Sequence, residues 1–135
     1  MQFVWPIRVY YEDTDAGGVV FYANYLRFME RARTEWLRSL GFEQDALMDD
    51  PGIVFAVRRT EVDYLAPARF NEQLSVRSRI AEKGGATLTF EQQIVRDQDQ
   101  QLLCKGLVKV ACLDKDSLRP ARIPADLRNK ILTID

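Results

Sequence analysis

The chain contains no histidine. That absence removes Ser-His-Asp and Cys-His catalysis, zinc sites built on histidine pairs, and the usual general base. If the chain is an enzyme, a carboxylate is the leading candidate for the work. Cysteine is scarce as well, with Cys104 and Cys112 the only two. Both fall on one stretch that reads as a strand, about 26 Å apart at about 3.3 Å per residue. A disulfide needs α-carbons within about 7 Å, so reduced, buried thiols are expected. No apolar run approaches the roughly 20 residues needed to cross a bilayer. Met1–Tyr11 lacks the charged start and unbroken apolar segment of a secretion signal, so a cytoplasmic location is the default expectation. Neither charge dominates: 19 Lys and Arg against 20 Asp and Glu leave a formal charge of −1, which argues against a nucleic-acid partner. There is no internal repeat, low-complexity segment or linker, so residues 1–135 read as one domain.

What is present concentrates near the amino terminus. In the stretch from Tyr10 to Tyr25, the carboxylates Glu12, Asp13 and Asp15 are followed by Gly17-Gly18 and then by apolar and aromatic residues leading into a helix. The glycine pair permits backbone angles that a Cβ resists. A helix start supplies unpaired N–H groups and a partial positive charge, so a carboxylate beside it could act on a carbonyl whose oxyanion those donors stabilise. From Asn24 to Leu40 there is no Pro or Gly, and Tyr25, Phe28, Met29, Ala32, Trp36 and Leu40 recur at helical steps. Asn24 is the expected N-cap and Gly41 the stop. Arg31 and Glu35 are spaced to pair. Such a helix spans roughly 25 Å, long enough to be the central packing element.

Strand patterns fill the rest. Ile7, Val9 and Tyr11 alternate with polar neighbours, with Pro6 at the expected start. Phe42–Gly52 reads as a connection, Val54–Leu65 as a second strand, and Leu74, Val76, Ser78 and Ile80 as one face of a third. Lys83-Gly84-Gly85 signals a hairpin into a fourth strand marked by Leu88, Phe90 and Ile94. Asp97–Gln100 is a further turn. Leu102–Leu113 is apolar on both faces and suits an interior strand covered on both sides. Ala125–Leu132 predicts a short terminal helix. One helix among five strands implies an α+β fold whose antiparallel sheet curls around that helix, and open sheet edges imply a homodimer or larger assembly.

The run Tyr10-Tyr11-Glu12-Asp13-Thr14-Asp15-Ala16-Gly17-Gly18-Val19-Val20, with Ala23-Asn24-Tyr25-Leu26 and Met29-Glu30-Arg31-Ala32-Arg33, resembles the 4-hydroxybenzoyl-CoA thioesterase family of hotdog folds. It is most similar to that family's Tol-Pal-associated acyl-CoA thioesterase branch. Val62-Asp63-Tyr64 and Ala66-Pro67-Ala68-Arg69 extend the likeness over nearly the whole chain. The resemblance implies a curved five-stranded antiparallel sheet around one long helix, and thioester hydrolysis without metal or cofactor. It implies that Asp15 is the catalytic residue, as nucleophile or as base activating water, and that the Tyr22 N–H polarises the carbonyl. Gly17 and Gly18 would let the chain approach the substrate. Many members of the branch carry histidine where this chain has Tyr22, so a histidine-assisted mechanism has no residue here to carry it.

On spacing alone Asp13 and Asp15 both read as turn caps. The resemblance separates them, giving chemistry to Asp15 and leaving Asp13 structural. Arg58, Arg59, Arg77, Arg79 and Lys83 could meet coenzyme A phosphates, with Arg58 and Lys83 the named candidates. Taken singly, each also reads as part of a solvated sheet face. The alternative to a thioesterase is a non-catalytic module binding acyl thioesters or acyl carrier protein in envelope or lipid metabolism. A hotdog dehydratase resembles a histidine-dependent site, which this chain lacks.

Overall fold

The computed structural model describes residues 2–134. Strand β1 (Phe3–Arg8) leads through a 3-10 turn at Tyr11–Asp13 to the long helix α1 (Tyr22–Ser39). A short helix α2 (Gln44–Asp49) precedes strands β2 (Ile53–Tyr64), β3 (Gln73–Lys83), β4 (Thr87–Arg96) and β5 (Leu102–Asp114), and helix α3 (Ala125–Ile134) follows. All five strands pair antiparallel in the order β1-β3-β4-β5-β2.

Cross-strand register sets one continuous inward face. Val76, Ile94 and Cys104 lie in line across β3, β4 and β5, as do Ile80, Phe90 and Val108. The apolar stripe of α1, with Phe28, Met29 and Ala32 fully buried, covers this face. Phe3 stacks on Trp36 at 5.8 Å, and Trp36 meets Phe90 edge-on at 5.7 Å, so β1 and β4 grip the same helix end. Gly106 permits a close approach of helix and sheet: a Cβ there would lie 2.9 Å from Glu61 O and 3.4 Å from Met29 Cε. At the C-terminus of α1, Gly41 adopts φ +95°, and Lys130 of α3 donates to Leu40 O at 2.6 Å, complementing the helix dipole.

Several local expectations are corrected. The first residue of α1 is Tyr22 and its N-cap is Phe21, which offers no side-chain cap; Asn24 sits in the first turn and reaches back to Asp13. Pro6 lies inside β1, opposite Ser75, where an edge strand tolerates a missing N–H. Tyr11 belongs to the 3-10 turn, so β1 is shorter than the alternation suggested. Glu35 pairs with Arg38, and Arg31 instead lies over the Phe28 ring. Strand β5 is interior to the sheet but covered on only one side along its middle, where Leu107 remains 39% exposed. Cys104 and Cys112 are buried free thiols, and burial pushes Cys104 up to about 12.

Candidate active site

Residues 14–20 form a tight hairpin between the 3-10 turn and α1. Thr14 and Val20 bridge across it, and Asp15 N–H donates to Val19 O at 2.9 Å. The tip closes with Gly18 N–H on Asp15 O at 3.0 Å. Gly18 holds φ +77°, a conformation in which a side chain would be strained. The Gly17 N–H donates to Asp15 Oδ1 at 2.8 Å, fixing the carboxylate as an Asx turn. Asp15 is exposed, and its Oδ2 accepts no hydrogen bond among the described residues.

The hairpin is held from two sides. Val20 N–H donates to Ala68 O at 2.8 Å, and Val19 bridges Arg69. The Ala66–Arg69 segment is pinned in turn. Ala68 N–H donates to the buried Tyr25 hydroxyl at 3.0 Å, and Arg96 Nη2 donates to Pro67 O at 2.8 Å. Burial pushes the Tyr25 phenol up, against the opposing pull of that Ala68 N–H. On the other side Asp13 is buried. It accepts Tyr10 N–H at 2.8 Å and the Asn24 amide at 2.7 Å, while Asp13 O accepts Phe21 N–H at 3.0 Å. Asp13 is therefore a cross-link between the 3-10 turn and the first helical turn. This clamp was invisible to spacing alone, although Asp13 and Asn24 both flank the glycine pair.

The helix start presents unused donors. No side chain caps Phe21, and no acceptor among the described residues takes the Tyr22 or Ala23 N–H. The Tyr22 ring, 63% exposed, leans on Phe21 at 4.7 Å and meets Tyr64 edge-on at 6.2 Å. The carboxylate and the uncapped helix thus sit on the two ends of one eight-residue stretch, Asp15 to Tyr22. They open to the surface of the single chain. Its grooves along α1, on the outer sheet face and beside Phe70 are lined by neither residue.

Arg58 and Lys83 are not gathered here. Arg58 occupies the bulge between Val57 and Arg59, six residues from the Tyr64 end of β2, about 20 Å of strand. Lys83 ends β3 ten residues beyond Gln73, about 33 Å of strand away from the hairpin's end of the sheet. Arg59 pairs with Glu61, Arg79 with Glu91, and Arg77 donates to Gln100. Among the described residues no cluster of acidic or thiol side chains is arranged to hold a metal ion.

An antiparallel five-stranded sheet wrapped on one long helix defines a hotdog fold. Residues 9–131 match the model of the thioesterase-like superfamily, and the chain belongs to that family. It is 44% identical over 126 residues to the acyl-CoA thioesterase YbgC of Haemophilus influenzae, covering 93% of this chain and 91% of that protein. It is 46% identical over 125 residues to the acyl-CoA thioester hydrolase YbgC of Escherichia coli O6:H1, covering 93% and 92%. The crystal structure of Slr0204, a 1,4-dihydroxy-2-naphthoyl-CoA thioesterase from Synechocystis, superposes with a TM-score of 0.92. Its identity is 22%, and the match spans 100% of this chain and 98% of that one. At that identity the likeness speaks for the fold.

Proposed function

We propose that the chain is an acyl-CoA thioesterase, hydrolysing an acyl thioester to free acid and CoA. One observation carries this: Asp15 Oδ2 is left without a protein partner on a glycine-closed turn that runs directly into a helix whose first N–H groups are uncapped. The thioester carbonyl oxygen faces the Tyr22 N–H. Asp15 either attacks the carbonyl carbon or takes a proton from a water that does so. The tetrahedral oxyanion is stabilised by the helix donors and collapses by expelling the CoA thiolate, which then takes up a proton. In the nucleophilic route, water hydrolyses the resulting anhydride on Asp15. The relatives named for acyl-CoA thioester hydrolysis support the substrate class.

The reading is tested by assaying thiol release from short, long and aromatic acyl-CoAs. Turnover of at least one class is expected. Tight binding of acyl-CoA without hydrolysis across the panel would overturn it and favour the non-catalytic module.

The single chain leaves this site uncovered, and its β2 edge carries exposed Val57, Tyr64 and Leu65 beside exposed Phe21, Tyr22 and Leu26 of the helix end. A second copy docking along β2 would cover both, and would bring its own Arg58 and Lys83 into consideration for the CoA phosphates at this carboxylate. Sedimentation should therefore show a homodimer or homotetramer; a monomer at assay concentrations would remove the shared-site reading.

A further inference from the structure

Arg33 is the only cation among the buried described residues, 9% exposed on α1. Its Nη1 donates to Gln92 Oε1 at 2.9 Å, and its guanidinium carbon lies 6.0 Å from the Phe90 ring centre. Gln92 is itself locked, donating to Met29 O at 3.0 Å and Ser78 Oγ at 2.9 Å. The guanidinium is therefore held in place by a buried network. Its Nε and Nη2 find no acceptor among the described residues, and no carboxylate forms an ion pair with it. Burial lowers the group to about 10, against the opposing pull of the Glu30 carboxylate, so it stays a cation at neutral pH. Its Nε and Nη2 are not among the fully enclosed unpartnered atoms, so they face accessible space where a polar ligand can reach them.

Arg33 also lines two adjoining grooves. One, of about 320 Å³, is walled by Leu37, Phe55, Leu88, Phe90 and Val110. The other, of about 300 Å³, is walled by Leu26, Arg27, Val57, Thr60 and Val108. Glu30, Arg33 and Val57 border both, so together they make one seam between α1 and β2. The seam starts at Leu26, one helical turn past Tyr22. From Tyr22 to Arg33 is about 16 Å along the helix, and the Arg33 side chain leans back towards that start.

We propose that this seam is the acyl channel, and that Arg33 is a specificity residue which receives an anionic group at the far end of a long acyl chain. The substrate class is then ω-carboxyacyl thioesters. This rests on the thioesterase reading above. The apolar walls take the methylenes, and the two open guanidinium N–H edges offer the fork that a carboxylate fills. The second copy proposed above roofs the seam at Leu26 and Val57.

The test uses thioether analogues of tetradecanedioyl-CoA and myristoyl-CoA, which cannot be hydrolysed, titrated into the wild-type protein by calorimetry. The ω-carboxy analogue should bind about 10- to 100-fold tighter, the range expected for one charge-assisted hydrogen bond or slightly more. Arg33→Met should bring the two affinities together, while Arg33→Lys, which keeps the charge but loses the fork, should retain part of the difference. Equal affinity, or tighter binding of the myristoyl analogue by the wild type, overturns the inference even if neither variant folds. A preference that persists in Arg33→Met overturns it too. Turnover of myristoyl-CoA, measured separately, reports on the thioesterase reading alone.

Discussion

Asp15→Asn should lower kcat for acyl-CoA hydrolysis by about 10²- to 10⁴-fold, the usual worth of a positioned proton-transfer group, with little change in KM. The substitution isolates chemistry from structure. An Asn Oδ1 can still accept the Gly17 N–H that Asp15 Oδ1 accepts at 2.8 Å, so the turn is preserved. Asp15 is exposed and supports no packing, so the melting temperature should stay at the wild-type value. The amide lacks the charge and basicity that either role of Asp15 requires. Asp15→Glu, with its carboxylate displaced by one methylene, should fall between the two. Undiminished turnover by a folded Asp15→Asn protein would remove Asp15 from the mechanism. The neighbouring Asp13 provides a contrast, because its carboxylate accepts from Tyr10 N–H and the Asn24 amide in a buried site. A change there would unpair two buried donors and act through stability instead.

The sequence made the sheet and helix legible because their signals are periodic. Leu74, Val76, Ser78 and Ile80 face inward as their alternation requires, and the helical spacing of Tyr25, Phe28, Met29, Ala32 and Trp36 matches the buried face of α1. The Arg33–Gln92 network was missed for a different reason. Both residues obey the same periods, since Gln92 continues the Leu88, Phe90, Ile94 row and Arg33 follows Met29 by four. Their polarity argues against burial, which is supported by their mutual hydrogen bond and by the bonds of Gln92 to Met29 O and Ser78 Oγ. The expected N-cap lies three residues past the observed one because Asn24 has the chemistry of an N-cap, whereas Phe21 has none. The partner that Asn24 uses, Asp13, comes within range only through the hairpin fold. Spacing likewise gave the order of Asp15, the glycines and Tyr22. It could not give the exposure of the site, which depends on how the hairpin leans on Ala68 and Arg69 from a distant part of the chain.

The absence of a cap at Phe21 makes a sharper test of the second catalytic role. Tyr22 is the first residue of α1, the position where proline is best tolerated, because its missing N–H would have no helical acceptor in any case. Phe21, at φ −62° and ψ 132°, already has the extended backbone that a following proline demands. Tyr22→Pro should therefore fold while deleting one N–H from the helix start. If that donor stabilises the oxyanion, kcat should fall by about 10²- to 10³-fold, as when one such donor is lost elsewhere. The ring is lost as well, and Tyr22→Ala controls for this by keeping the N–H and discarding the phenol. The decisive comparison is between these two variants, on the same acyl-CoA and with matched melting temperatures. Equal activity in both would transfer the oxyanion role away from Tyr22 and leave Ala23, the other uncapped donor, as the group to examine. A large deficit in Tyr22→Pro alone would tie the chemistry to the backbone. In that case the histidine that many members of the branch carry at this position could be replaced by tyrosine without loss of this role.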